Sequence, residues 1–265
     1  AQANPLRIEL SLGLPCPRPG LSTELQPSLV RALGKDYRRI FSAVTTFPNG
    51  HAAGLLALAD AAQKLMQGAF DACVVSGVDS YIEPETLEWL EENDQLNGAG
   101  SLNNSWGFIP GEGAGAILLL NANAASRCRL KPLAQVLSIG TGIEQNRINT
   151  ETICIGKGLT DAFRNALVML PDTSKVSDIY CDMNGEPYRA NEYGFTCLRT
   201  NQAFESVSDF IAPADCWGDK GAASGPLFAV LAVIAANKGY SMGPLAFLWA
   251  SSESGLRGAA ILQSI

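Results

Sequence analysis

One pattern recurs twice along this 265-residue chain, and it restricts the fold more than any single residue does. Around residues 49–120 the order is a small-residue motif, an apolar helix, a strand, a polar Gly/Ser turn and a Gly/Ala-rich strand. The motif is Asn49-Gly50-His51-Ala52-Ala53-Gly54, and the run LLALADAAQKLMQG behind it has apolar residues at helical spacing. Around 218–263 a similar order returns. WGDKGAASG heads an apolar helix over 226–237, Leu245–Ala250 reads as a strand, 251–258 as a Ser/Gly turn and Ala259–Gln263 as a closing strand. Apolar strands alternating with apolar helices need sheets covered on both faces. Small residues at each helix start allow close approach of helix to sheet, or of one half to the other. The chain therefore reads as a layered α/β protein with two pseudo-duplicated halves, 1–122 and 123–265.

Periodicity and breakers supply the remaining elements. Leu6–Leu14 reads as a strand, 23–34 as a helix and Arg39–Val44 as a short strand. Ala72–Ser76 is a strand ending in a Gly77–Ser80 turn, Pro84–Leu90 a helix, 93–105 a loop and Ala116–Leu120 a strand. In the second half Leu130–Gly140 and Asp178–Cys181 read as strands and Leu159–Leu170 as a helix. The segment 83–94 carries Glu83, Glu85, Glu88, Glu91, Glu92 and Asp94. Such a run reads as a solvated helix face, and it would repel an acidic carrier protein.

Composition narrows the chemistry. A net charge of -7 with no Lys/Arg cluster argues against a nucleic-acid binder. Apolar residues at 47% supply a core, and no apolar stretch reaches the roughly 18–20 residues of a membrane span. The first fifteen residues lack a basic region followed by an apolar core, so no secretory leader is expected. The seven cysteines are widely spaced and form no C-x-x-C pair, which reads as a reduced, cytoplasmic protein with structural thiols. His51 is the only histidine, and no ligand spacing accompanies it, so neither a metal nor a cofactor is expected. Gly111-x-Gly113-x-Gly115 precedes a strand rather than a helix and is no dinucleotide motif; neither a P-loop nor a G-x-S-x-G elbow occurs.

Four ordered segments resemble the β-ketoacyl synthases of the thiolase superfamily. They are FDACVVSGVDSYIEP (70–84), WGFIPGEGAGAILLL (106–120), GDKGAASG with its helix, and ASSESGLRGAAIL (250–262). The resemblance implies a thiolase-like layered α/β/α/β/α fold. Members of that family carry a longer segment ahead of their nucleophile than the 50 residues found here, so the first sheet is expected to be incomplete, the N-terminal half being naturally short or trimmed.

The same resemblance places the chemistry. The family's C-A-x-G helix opening matches His51-Ala52-Ala53-Gly54, putting His51 where the nucleophilic cysteine would be, with no cysteine nearby in sequence. Its N-A-H-G-T segment matches Asp182–Glu186 and puts Asn184 at the first histidine. Its GH-x-x-GAAG segment puts Gly218 at the second, and a one-residue shift puts Asp219 there. A lysine common before that histidine falls at Pro213, and the two phenylalanines of the closing hairpin fall at Glu253 and Gly255. A condensing reaction needs a thiolate to hold the acyl group and two histidines to assist decarboxylation. With those groups missing, Claisen condensation by the usual route is not expected.

His51, Asn184, Gly218 and Glu253 form the candidate pocket. The helix dipole disfavours a charged His51, which reads either as a neutral ring satisfying backbone groups or as a base oriented by Glu253. Glu253 reads alternatively as solvated, or paired with Lys220 or Arg257. Thr45 and Thr46 are expected to bond backbone, and Glu112 to accept donors between hairpin and core. By analogy the chain is expected to be a non-condensing partner subunit or a binder of acyl-CoA or acyl carrier protein. An acyltransferase or thioester hydrolase with a rewired site is the alternative, and a purely structural assembly protein a third. A homodimer, or a heterodimer with a synthase, is expected through a strand at about 39–46, with no nucleic-acid or membrane partner.

Overall fold

The seven-residue strand Ile8–Leu14 (β1), with Ile8, Leu10, Leu12 and Leu14 alternating with Glu9, Ser11 and Gly13, is buried nearly throughout and seeds the first sheet. The computed structural model describes residues 6–265 apart from 102, 149 and 172; residues 1–5, part of the segment read for a leader, lie outside the described residues. After β1 come α1 (Leu25–Asp36), β2 (Ala43–Pro48), a 3-10 turn (Gly50–Ala52), α2 (Ala53–Met66), β3 (Ala72–Ser80), α3 (Pro84–Glu92) and β4 (Glu112–Leu120). The chain continues through α4 (Ala122–Cys128), β5 (Ala134–Ile143), α5 (Lys157–Leu167), β6 (Asp178–Cys181), α6 (Pro187–Thr200), β7 (Phe210–Ile211) and α7 (Ala214–Trp217). A further 3-10 turn (Gly221–Ala223), the third after one at Asn201–Ala203, then leads into α8 (Ser224–Lys238), β8 (Leu245–Ser251) and β9 (Leu256–Ser264).

Two sheets result, ordered β2-β1-β3-β4 and β5-β9-β8-β6-β7. Side chains alternate across each strand, so each sheet has two faces to cover. Between the sheets lie α2 and α8, and one core joins Leu55, Leu58 and Phe228 from these helices to Val75, Leu248 and Ala260 from the strands. On the outer side of the first sheet Leu29 and Leu33 of α1 cover Leu10, Leu12 and Leu14. On the outer side of the second, Phe163 of α5 and Tyr193 of α6 pack on Ile179, Phe247, Trp249 and Ile261. The layers therefore run α/β/α/β/α.

Several boundaries move from their sequence-based positions. Residues 39–42 are not strand: Ile40 and Phe41 bond back to the Tyr37 carbonyl, and pairing starts only where the Ser42 N–H meets the Ile8 carbonyl. Gly77–Ser80 is strand, not turn, because Gly77 pairs with Gly115 and Ser80 with Glu112. Two helices have no apolar stripe to announce them. In α6 the buried positions are Arg189, Glu192, Tyr193, Thr196 and Thr200, and α4 is a short helix capped by the Asn121 side chain on the Ala124 N–H. Gly221–Lys238 is an 18-residue helical run apolar enough by length and composition to cross a membrane, longer than expected; half of it is buried between the sheets.

Helices α2 and α8 meet at their N-terminal ends, where Gly54 faces the Pro226 ring and Gly225 faces Leu55. A Cβ on Gly54 would collide with Pro226. Gly54→Ala gains about 1 kcal/mol of helix propensity but overpacks this contact, for which about 1–3 kcal/mol is typical. The expected net result is a lowered urea midpoint. Gly34→Ala is the control: with nothing within 4 Å of its would-be Cβ in α1, it should raise the midpoint.

Candidate functional site

The 3-10 turn ahead of α2 holds His51 with 3% exposure, and the turn ahead of α8 holds Asp219, also at 3%. His51 Nε2 lies 2.9 Å from each Asp219 oxygen. Asp219 also accepts from the Gly221 N–H (2.7 Å) and from Asn184 Nδ2 (2.7 Å). Asn184 donates in addition to Glu186 Oε2 at 3.0 Å, and its own Oδ1 accepts from the Glu186 N–H. Arg189, buried on α6, donates from Nε to Glu186 (2.9 Å) and from Nη1 to Asp182 (2.7 Å) and the Ser251 carbonyl (2.8 Å). Its Nη2 stands 3.3 and 3.4 Å from the two His51 ring nitrogens.

The structure thus brings together two of the four sequence candidates, His51 and Asn184, through Asp219. Gly218 touches neither. It occupies a left-handed turn (φ +72°) against Ile109 and Pro110, and serves to aim the next residue, so the one-residue alternative Asp219 is the functional neighbour. Glu253 does not orient His51 and pairs with neither Lys220 nor Arg257. It accepts from Gln95 Nε2 at 3.0 Å, and the same nitrogen donates to Glu186 Oε1 at 3.0 Å. His51 faces a carboxylate rather than backbone groups. Burial, the largest single influence, opposes its charge, but Asp219 by charge and hydrogen bond, with Asp182 behind it, raises its pKa on balance.

Charge balance explains the two aspartates. Burial alone would raise the Asp219 pKa, yet His51, Arg189 and the Gly221 N–H hold its carboxyl far below the usual range. Asp182 is raised by burial despite Arg189, His51 and the Ser251 N–H; its Oδ1 has no partner among the described residues. The thiols are no better placed for chemistry. Burial raises Cys16, Cys154, Cys181 and Cys197, and pushes Cys73 up to about 12.

Sequence reading missed Asp182, Glu186, Arg189 and Gln95. The first three belong to a polar buried stripe that hydropathy cannot flag, and Gln95 sits at the head of an Asn/Gly-rich loop. Cys16 was missed too: distant in sequence, it lies so that a Cβ on Gly50 would be 3.1 Å from its Sγ. Thr45 and Thr46 bond side chains rather than backbone, Thr45 donating to Glu9 at 2.6 Å and Thr46 accepting from Gln26 at 2.7 Å. Glu112 is exposed and accepts from Ser80 Oγ at 3.2 Å, and the six acidic residues of 83–94 are all exposed.

A second charged group lies behind the first. Glu144, Cys154 and Glu192 bring potential metal-ligating atoms within 4.8 Å of one another. Their carboxylates are already committed: Glu192 to Arg257 Nε (2.7 Å) and Ser251 Oγ (2.8 Å), Glu144 to the Gly158 and Asn146 N–H groups. The guanidinium of Arg257 supplies the buried positive charge there.

Residues 44–125 match the family model described as Beta-ketoacyl synthase, N-terminal domain. Against solved structures, 99% of the chain superposes on 55% of a ketosynthase from module 6 of the bacillaene synthase of Bacillus subtilis 168, with TM-score 0.76 and 17% identity. The chain has the fold of such ketosynthases. The ishigamide ketosynthase/chain length factor matches over the full chain and 75% of its own length, with TM-score 0.65 and 21% identity. A ketosynthase complex with a type II PKS acyl-carrier protein, bound to the hexaketide, matches over 92% of this chain and 70% of that one, with TM-score 0.74 and 16% identity. The chain spans about half the length of the bacillaene ketosynthase. No curated protein matches in sequence.

The pH dependence of stability follows from the shifts. His51, raised, contributes fully below about pH 6.5 and loses its contribution as pH rises through its folded pKa. Asp219, lowered, contributes fully above about pH 4 and loses it only as pH falls through its depressed value. Urea midpoints should therefore fall more steeply between about pH 6.5 and 8 in the wild-type protein than in His51→Gln, below the range in which the buried thiols begin to titrate. Asp219→Asn strands a buried charge and should cost about 3–5 kcal/mol at pH 6.

Proposed function

We propose that this ketosynthase-like chain is a non-condensing subunit that pairs with a condensing ketosynthase and contributes to binding its acyl chain or acyl carrier. One observation carries the reading: the positions matched to the family's Cys-His-His set hold His51, Asn184 and the Gly218-Asp219 turn, tied into a closed set of buried ion pairs. A condensing centre needs an accessible thiolate, and burial raises the five perturbed thiols instead. His51 Nε2 is likewise engaged by both oxygens of Asp219, which leaves that nitrogen unavailable as a general base. The similar structures include a ketosynthase/chain length factor and a ketosynthase in complex with an acyl-carrier protein, which supports both kinds of partner.

The pairing surface we assign is β2. It stands at an edge of the first sheet with one side unpaired, and carries Ala43, Val44, Thr45, Thr46 and Phe47 without a charge. The exposed acidic face of α3 would repel an acidic carrier, so a carrier docks elsewhere.

The test is incubation with a panel of acyl-CoA and acyl-carrier thioesters, following intact mass and free thiol. Neither adduct nor thiol release is expected. Thiol release abolished by His51→Ala would overturn the reading in favour of a rewired acyltransferase or thioester hydrolase. Light scattering should give a dimer mass, alone or on mixing with a condensing ketosynthase; a monomer in both cases removes the pairing.

A further inference from the structure

The second sheet has two ends, and the one away from His51 contains a void. Strand β6 runs from Asp178 to Cys181, and Asp182 and Asn184 of the candidate site follow directly on its last residue. At about 3.3 Å per residue, Asp178 begins the strand roughly 13 Å before Asp182. A cleft of about 290 Å³, its mouth included, lies at that starting end. The second half of α8 walls it on one side, and β6, β8 and β9 wall it on the other. Small side chains leave the space open: Ala232 and Ala236 of α8 line the cleft together with Ala246 of β8. Alanines on both walls cannot fill the gap between a helix and a sheet to the density of a normal interior.

Two polar side chains line the cleft from β6. Tyr180 is 2% exposed, and its hydroxyl has no hydrogen-bond partner among the described residues. A hydroxyl taken from water without a new partner is costly to bury. Burial and the neighbouring Asp178 push its pKa up to about 12, so at neutral pH it is an uncharged donor and acceptor. Asp178 is buried as well. Its oxygens each accept from the Met242 N–H at 3.1 Å, and Oδ2 accepts from Ser177 Oγ at 2.8 Å. No cation pairs with this carboxylate among the described residues. A carboxylate offers about four lone-pair positions, so it can still accept. The carbonyl end of α8 adds to the negative potential, since that helix ends beside the cleft at Gly239 in a left-handed cap.

We propose that this cleft binds a small organic ammonium ion, with its N–H groups on Asp178 and the Tyr180 oxygen and its hydrocarbon part between α8 and β9. Charge complementarity selects the class. A carboxylate or phosphate would face Asp178 and the helix carbonyls, with the Tyr180 hydroxyl as its one side-chain donor from β6. A neutral alcohol would satisfy Tyr180 but leave Asp178 without a counter-charge. Ala232, Ala236 and Leu262 supply the apolar surface for the rest of the molecule. Pockets for drug-sized ligands begin at about 300 Å³, so the amine is a small one.

Benzylammonium is the probe, with benzyl alcohol as its uncharged counterpart and benzoate as its anionic one. Titration followed by amide chemical shifts should move residues 178–180, 232–236 and 241–246 saturably, with a Kd of about 1 mM. The amides of Asn184 and Gly221 should stay in place. Both counterparts should bind about tenfold more weakly or worse. Tyr180→Phe removes an unpartnered hydroxyl; it should keep or raise the urea midpoint while weakening benzylammonium about fivefold. Ala236→Leu fills the cleft and should abolish binding, with retained amide dispersion showing that it folds. Absence of saturable shifts at the cleft overturns the proposal, as does benzyl alcohol binding as tightly as benzylammonium. Undiminished binding in Tyr180→Phe or in folded Ala236→Leu overturns it too. No thioester or synthase takes part in the measurement, so its outcome is separate from that of the condensation test.

Discussion

A carboxylate removed from water stays ionised only if donors replace the water, and Asp219 has that replacement on both oxygens. His51 reaches both, the Gly221 N–H takes one and Asn184 the other. Each donor comes from a different segment, so one ionised side chain joins the start of α2, the start of α8 and the loop after β6. Asp182 shows the contrast within the same group. With one oxygen unpartnered, its burial is not compensated, and its pKa moves the other way. The difference lies in the charges and donors that face each carboxylate and not in depth, since both side chains are almost wholly buried.

That meeting of segments depends on how closely α2 and α8 approach, which backbone size decides. Gly54 against Pro226 and Gly225 against Leu55 let the two helix starts touch, and His51 and Asp219 lie just ahead of those starts. A second tie runs parallel to the first. Arg18 donates to Asp79 at 2.6 Å, Asp79 accepts from the Ala222 N–H at 2.9 Å, and the Arg18 guanidinium lies over the Tyr81 ring at 4.0 Å. The turn that carries Asp219 is therefore gripped from the first half on two sides. Buried ion pairs of this kind contribute little net stability compared with apolar packing, but removing one member is expensive. Their effect is to make one relative placement of the halves much better than its neighbours.

The layered fold was legible because its signal is apolar periodicity. The apolar helices read at 55–68 and 226–237, the strand at 178–181 and the repeated order of elements all come from runs whose burial their hydropathy announces. The site was legible only in part, and for a matching reason. His51 and Asn184 stood out by position in recognisable segments, whereas Arg189, Glu186 and Asp182 are charged residues that a hydropathy pattern assigns to solvent. Helix α6 went unread because its buried stripe is Arg-Glu-Tyr-Thr-Thr, a pattern that only tertiary pairing can bury. The choice between Gly218 and Asp219 could not be made from spacing either. It needed the left-handed turn at Gly218, which sends that backbone against Ile109 and turns the following carboxylate toward His51.

The charged group also constrains what the site can do. A condensing centre requires an open position beside a reactive thiolate, where substrate charge can develop and be stabilised. Here the charges are already neutralised by one another: His51 by Asp219, Arg189 by Asp182 and Glu186, Arg257 by Glu192. Preorganised donors help a transition state only if they are free to meet it, and these are spent on neighbouring side chains. Removing members one at a time would leave an uncompensated buried charge at each step. The same interactions that hold the two halves in register thus occupy the donors and acceptors of the candidate site.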